Sequence, residues 1–92
     1  MWVRLQGAND YVVSVVSIRQ YKNLNKEYVI KGIDKNNVFM VLGKYSTQEK
    51  SNEVFYRILE AMANDEVLFQ MPLDNEVEVW KKENVLLKLP EV

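Results

Sequence analysis

The chain contains no cysteine and no histidine among its 92 residues. Without thiols there is no disulfide, no cysteine nucleophile and no cysteine–histidine metal site. Without imidazole there is no Ser-His-Asp hydrolase and no histidine base titrating near neutral pH. Catalysis would fall to carboxylates, lysine, tyrosine or a carboxylate-held metal, so a non-enzyme with no cofactor and no metal is expected. Glycine is scarce as well, and Gly7, Gly32 and Gly43 stand alone. Isolated glycines build neither a phosphate-binding loop nor a dinucleotide fingerprint. No apolar run approaches the ~18 residues of a membrane span. The densest window, Tyr11 to Ile18, is broken by Ser14 and Ser17. The first residues lack the basic stretch, long apolar core and small-residue cleavage site of an export signal, so a cytoplasmic protein is expected.

What is present is globular: 48% hydrophobic and 27% charged residues, well away from disordered composition. A chain of this size supports one core, so residues 1–92 are expected to form a single domain. Net charge is −1, but it is unevenly placed. Residues 1–50 hold eight basic and four acidic side chains, and residues 51–92 hold four basic and nine acidic. A surplus of four positive charges thus precedes a surplus of five negative ones. Such asymmetry can steer an anionic partner to one face or favour head-to-tail self-association.

Trp2 to Leu5 is a short strand candidate, closed by the turn-forming run Gln6 to Asp10. From Tyr11 to Tyr21 the chain is rich in β-branched residues, and Asn23 to Lys26 is hairpin-loop chemistry. Glu27 to Ile33 alternates as a strand, Tyr28 and Ile30 pointing one way and Val29, Lys31 and Ile33 the other; Asp34 to Asn37 is a second turn. Val38 to Leu42 is apolar on both faces, as suits a central strand. Together these segments predict an antiparallel meander. Leu42 to Glu49 then joins strand to helix. Ser46 and Glu49 have the spacing of a capping box, which would start a helix at about Thr47.

That helix is expected to run to Ala63, with Asn64 as a left-handed cap. Val54, Phe55, Ile58, Leu59 and Met62 span an arc of roughly 140°, the width of a core-facing stripe. Lys50, Glu53, Arg57 and Glu60 fall opposite, with Glu53 and Arg57 paired at i,i+4. Val67 to Met71 predicts another strand, stopped by Pro72. Beyond it two patterns compete. Glu76 to Trp80 alternates as a strand, whereas Asp74 as a cap with Val77 and Trp80 on one side describes a short helix. Strand-turn-strand is expected, with Val85 to Leu89 as its second arm. The fold class is therefore α+β: an antiparallel sheet meander with one amphipathic helix packed on one face. Residues 73–92 form a C-terminal extension that completes the sheet or an oligomer interface.

Few residues are placed to carry chemistry. Glu76 and Glu78 would face the same way on a strand and could hold a hard cation, but alternating glutamates more often form a solvated face. The helix start at Ser46 to Gln48 beside Lys44 is an anion site only if Glu49 leaves it free. Basic residues interleaved with aromatics carry more weight. Arg19, Tyr21 and Lys22 lie on one arm of a hairpin and Tyr28 and Lys31 on the other. Such a face could clasp phosphates or stack a base, although the chain is acidic overall. The structural alternative is a cross-strand Tyr21–Tyr28 pair. The candidate binding residues are Arg4, Arg19, Tyr21, Lys22, Lys31 and Lys44. Since one helix covers one face of a sheet, the other needs the tail or a second copy. Trp2, Trp80, Leu86, Leu87 and Leu89 are the candidate oligomer-interface residues.

Several stretches together resemble a set of short, largely uncharacterised proteins of Gram-positive bacteria and their phages and prophages. The matching positions are Met1-Trp2-Val3-Arg4, Gln6, Leu42-Gly43, Tyr45-Ser46, Glu49, Val54, Ile58, Phe69 and Met71-Pro72, with Glu76-Val77 following. Leu5 and Gly7 depart from the pattern, where serine and aspartate are usual. The resemblance implies a phage or prophage accessory protein. Proteins of that kind often bind and block a host component, either a host protein or a nucleotide-type signal. The expected partners are thus a host protein or an anionic small ligand, with a homo-oligomer and no membrane. The alternative function is nucleic-acid binding through the Arg19, Tyr21, Lys22 and Lys31 face.

Overall fold

The computed structural model describes residues 1–8 and 10–77, and these divide among six strands and one main helix. The strands are β1 (Trp2–Arg4), β2 (Val12–Ser14), β3 (Ser17–Lys22), β4 (Tyr28–Ile33), β5 (Phe39–Tyr45) and β6 (Leu68–Gln70), with α1 (Gln48–Ala63) between the last two. The α+β class is as expected. The strands form two three-stranded sheets, in the orders β2-β1-β6 and β3-β4-β5.

The β3-β4-β5 sheet is the antiparallel meander. Its first hairpin closes through Asn23, whose N–H donates to the Glu27 carbonyl at 2.9 Å and whose Oδ1 accepts from the Glu27 N–H at 2.8 Å. Lys26 takes the left-handed φ of 62° that this tight loop requires. In the second turn Asp34 Oδ1 accepts from the Asn36 and Val38 N–H groups, and Asn37 is left-handed. The central strand is β4, which is the most buried, rather than the apolar segment that becomes β5. Apolarity on both faces of β5 has a different cause. Ile30 pairs with Gly43 and Lys31 with Val41, so Leu42 is an extra, bulged residue. The bulge shifts the phase of the strand and lets Leu42 and Tyr45 both enter the core.

The β-rich stretch beginning at Tyr11 is not one strand. β2 pairs with β1, and the Val15 N–H still donates to the Met1 carbonyl at 2.9 Å. The next residue leaves for the other sheet: the Val16 N–H donates to the Ile33 carbonyl at 2.8 Å. β6 lies parallel to β1, which a simple meander does not contain. The long excursion through α1 makes this parallel pairing possible, since a parallel partner needs a crossover.

Helix α1 starts one residue later than its predicted box. Thr47 is the N-cap, and its hydroxyl accepts from the Lys50 N–H at 3.2 Å. The predicted Ser46–Glu49 box does not form because Asp74 takes Ser46. Asp74 Oδ1 accepts from the Ser46 N–H at 2.7 Å, and Oδ2 accepts from its hydroxyl at 2.9 Å. At the other end Asn64 is the C-cap with an ordinary φ, and Asp65 carries the left-handed φ of 55°. Glu66 N–H donates to the Ala61 carbonyl and Asp65 N–H to the Met62 carbonyl, the paired bonds of a Schellman motif.

Val54 and Ile58 pack into a core with Ile30, Leu42, Tyr45, Val3, Val13 and Met71, joined at its edge by Phe55 and Met62. The stripe is rotated from the expected one. Lys50, Ser51 and Ala61 are buried while Leu59 is exposed, because Lys50 and Ser51 find polar partners underneath. Glu53 and Arg57 form the expected i,i+4 pair at 3.3 Å.

After Pro72 the chain turns into helix rather than strand: residues 74–77 are helical, and the Glu76 carboxylate accepts from the Leu73 N–H at 2.8 Å. Val77 is fully buried in the core cluster. The expected second arm, with Trp80, Leu86, Leu87 and Leu89, lies outside the described residues, as does Glu78.

Two hydrogen bonds fix where this segment lies. The Pro72 carbonyl accepts from the buried Tyr45 hydroxyl at 2.8 Å and from Gln6 Nε2 at 3.1 Å. A Cβ on Gly43 would stand 3.0 Å from Met71 Cε and 3.1 Å from the Tyr45 hydroxyl. Gly43 is therefore the gap that the Tyr45 ring and Met71 fill. Tyr45→Phe is expected to cost about 1 kcal/mol in urea denaturation, the net worth of one intramolecular hydrogen bond. Gly43→Ala should cost about 1–3 kcal/mol through overpacking. Unchanged stability in both would show that the junction is not tightly packed.

Candidate functional site: the helix-free face of the β3-β4-β5 sheet

Strand pairing decides which candidate residues share a surface. On β3, Ser17, Arg19 and Tyr21 alternate with Ile18, Gln20 and Lys22. Arg19 pairs with Lys31, which pairs with Val41; Tyr21 pairs with Val29, which pairs with Lys44; Ser17 pairs with Ile33, which pairs with Phe39. These rows form one face. The opposite face carries Ile30 and Gln20, whose Oε1 accepts from the Ser51 hydroxyl of α1 at 2.9 Å, so it is the face under the helix.

Four of the six candidate residues thus meet on the helix-free face: Arg19, Tyr21, Lys31 and Lys44. Lys22 does not, since it pairs with Tyr28 on the other side, with its ammonium 5.4 Å from that ring's centroid. Nor does Arg4, which is in the second sheet, where its Nε is enclosed and has no hydrogen-bond partner among the described residues. The expected Tyr21–Tyr28 pair is absent, because the register places Tyr21 opposite Val29.

Lys31 is the centre of the face. Its ammonium lies 4.4 Å from the Phe39 ring centroid and 5.2 Å from that of Tyr21. Both distances are within the range of cation–π attraction, which here holds a flexible side chain between two rings. Lys44 lies in the neighbouring row, opposite Val29, and faces Glu27 at 4.0 Å, a weak and solvated pair. Phe39 and Val41, which residue-type patterns did not single out, are 55% and 45% exposed here, beside Tyr21 at 43%. The signal that could have found them was the turn at Asp34 to Asn37, which sets the hairpin register. The bulge at Leu42 hid it by breaking the alternation of β5.

Trp2, the one interface candidate among the described residues, is 49% exposed in the other sheet. It borders two open clefts of about 560 and 410 Å³, and neither is lined by Arg19, Tyr21, Lys31 or Lys44. No group of three carboxylates able to hold a metal ion occurs among the described residues. Glu76 stands on a helical turn, so the strand spacing once expected for a Glu76–Glu78 pair does not apply there. No helix of the described residues is long and apolar enough to cross a membrane.

A second polar cluster lies at the start of α1. Asp74 Oδ2 accepts from Lys50 Nζ at 2.9 Å as well as from Ser46, so this carboxylate fills the place where an external anion would sit. Burial pushes the Asp74 carboxyl upward, but the hydrogen bonds from Lys50 and Ser46 outweigh it and hold the group below its ordinary range. The neighbouring Tyr45 hydroxyl is raised by burial and by the negative charges of Asp74 and Glu76, so it stays a neutral donor. Comparison with protein-family models, curated proteins and solved structures finds no match.

The depressed Asp74 carboxyl makes stability pH-dependent in a definite direction. Its contribution is fully present above the ordinary aspartate value of ~3.9 and is lost as pH falls through the lower folded value. Asp74→Asn is expected to be less stable than the parent at neutral pH and to approach it in acid. Two denaturation curves that stay parallel down to low pH would contradict this assignment.

Proposed function

We propose that this chain is a non-catalytic binding protein that covers an acidic surface of a protein partner with the helix-free face of β3-β4-β5. The observation that carries it is Lys31, held between the Tyr21 and Phe39 rings on the face turned away from α1, with Arg19 beside it and Lys44 at its rim. Exposed tyrosine, phenylalanine and arginine around an apolar patch are the composition of protein-interface centres. Cations on that patch select an acidic counterpart and speed its approach.

Two features argue against other anionic ligands. A nucleotide-sized molecule needs a concave site that encloses it, and neither described cleft is lined by Arg19, Tyr21, Lys31 or Lys44. Base stacking on Tyr21 or Phe39 competes with the lysine already placed over both rings. The resemblance to phage and prophage accessory proteins supplies the setting: the partner is a host protein, and binding blocks it.

Affinity capture from host extract, with and without nuclease treatment, tests this proposal, using the wild-type chain and an Arg19→Glu, Lys31→Glu double variant as baits. An acidic protein is expected on the wild-type bait, with recovery at least about tenfold lower on the variant, equivalent to losing two charge-assisted contacts. Equal recovery on both baits, or recovery that vanishes with nuclease treatment, would overturn it. The latter result would favour nucleic acid.

A further inference from the structure

The hydrogen bond from Asn23 N–H to Glu27 carbonyl fixes which backbone groups of β3 are already used. In this antiparallel register, bonded pairs recur every second residue, so Tyr21, Arg19 and Ser17 follow Asn23 in facing β4. The N–H and C=O groups of Ile18, Gln20 and Lys22 therefore point the other way. Among the described residues β3 is the outer strand of its sheet, and these groups have no ladder partner there. All but Ile18 among its six residues are exposed.

We propose that this edge receives an extended acidic segment of the partner, which adds as a further strand beside β3. The proposal rests on the reading of the neighbouring face as an acidic-protein site, and specifies how the partner engages it. Charge decides the occupant. Arg19 projects from the edge on the helix-free face and Lys22 on the other, so glutamates on either face of an added strand would meet a cation. A second copy of the chain would bring the same two cations against themselves, and charged edge residues are a common guard against such self-pairing. Main-chain bonds to Ile18, Gln20 and Lys22 would supply affinity. Arg19, Lys22 and the Tyr21–Lys31 pair would supply the preference for acidic side chains.

The test uses the intact chain and a blocked octapeptide of alternating glutamate and threonine at low salt. Amide hydrogen exchange and chemical shifts are followed by NMR. Saturating peptide is expected to slow exchange at Ile18, Gln20 and Lys22 about tenfold or more, and to leave Arg19 and Tyr21, already bonded to β4, unchanged. Methylating the peptide's backbone nitrogens at alternate residues should abolish the effect in one register and preserve it in the other. Shifts at Arg19 and Lys31 without protection of the three edge amides would overturn strand addition while leaving the surface proposal standing. Protection that rises with protein concentration in the absence of peptide would overturn it in favour of a second copy. No response at the edge or at the face would count against both proposals.

Discussion

The Gln6 side chain holds the two sheets together. Its Oε1 accepts from the Lys44 N–H at 2.8 Å and its Nε2 donates to the Lys44 carbonyl at 3.0 Å. An amide side chain thus pairs with β5 as the peptide group of a neighbouring strand would. The Gln6 N–H adds a bond to the Leu42 carbonyl at 2.9 Å, beside the bulge. The same Nε2 reaches the Pro72 carbonyl, where the Tyr45 hydroxyl also arrives. Residues far apart in sequence are thereby tied at one point. The junction gives partners to backbone groups that a broken ladder would leave without one.

Much else follows from that junction. With Pro72 anchored, Asp74 is carried to the start of α1, where it displaces the local capping box and draws Lys50 under the helix. The helix stripe rotates accordingly, away from Leu59 and toward Lys50 and Ser51. The helix then occupies one face of β3-β4-β5, and the other carries the exposed Arg19, Tyr21, Phe39, Val41 and Lys44. That face carries Lys31 between two rings, with Arg19 in its own row and Lys44 in the next. Gln6, Gly43, Tyr45, Ser46, Met71 and Pro72, scattered through the sequence motifs, are joined in this one cluster. Those motif positions thus take part in closing the fold.

The face and the edge of the same sheet complement each other physically. A face alone offers side chains, whose pairing in water contributes little unless they are held in place. An edge alone offers backbone groups without sequence preference. Here the two adjoin at β3, and Lys31 is already positioned by Tyr21 and Phe39. Positioned charges lose less entropy on binding, which favours recognition by this sheet over recognition by the exposed lysines of the turns.

The local elements were legible in the sequence wherever neighbouring residues decide them. The Asn23 and Asp34 turns, the strand before Pro72 and the Glu53–Arg57 pair all form as residue chemistry dictates. The composition also fixes the absence of thiol and imidazole chemistry. Of the candidate binding residues, Arg19, Tyr21 and Lys31 come together because alternation and hairpin register are short-range facts, whereas Lys44 joins them only through the Leu42 bulge. Tertiary structure decided the rest. The split of the Tyr11 to Tyr21 segment between sheets, the parallel β1–β6 pair, the Leu42 bulge and the helical turn at 74–77 depend on distant partners. So does the identity of the helix cap, where Asp74 competes with Glu49 from 25 residues away. A long-range carboxylate leaves no trace in local periodicity, and its bonds to Ser46 and Lys50 need the tertiary fold that brings residue 74 back to the start of α1.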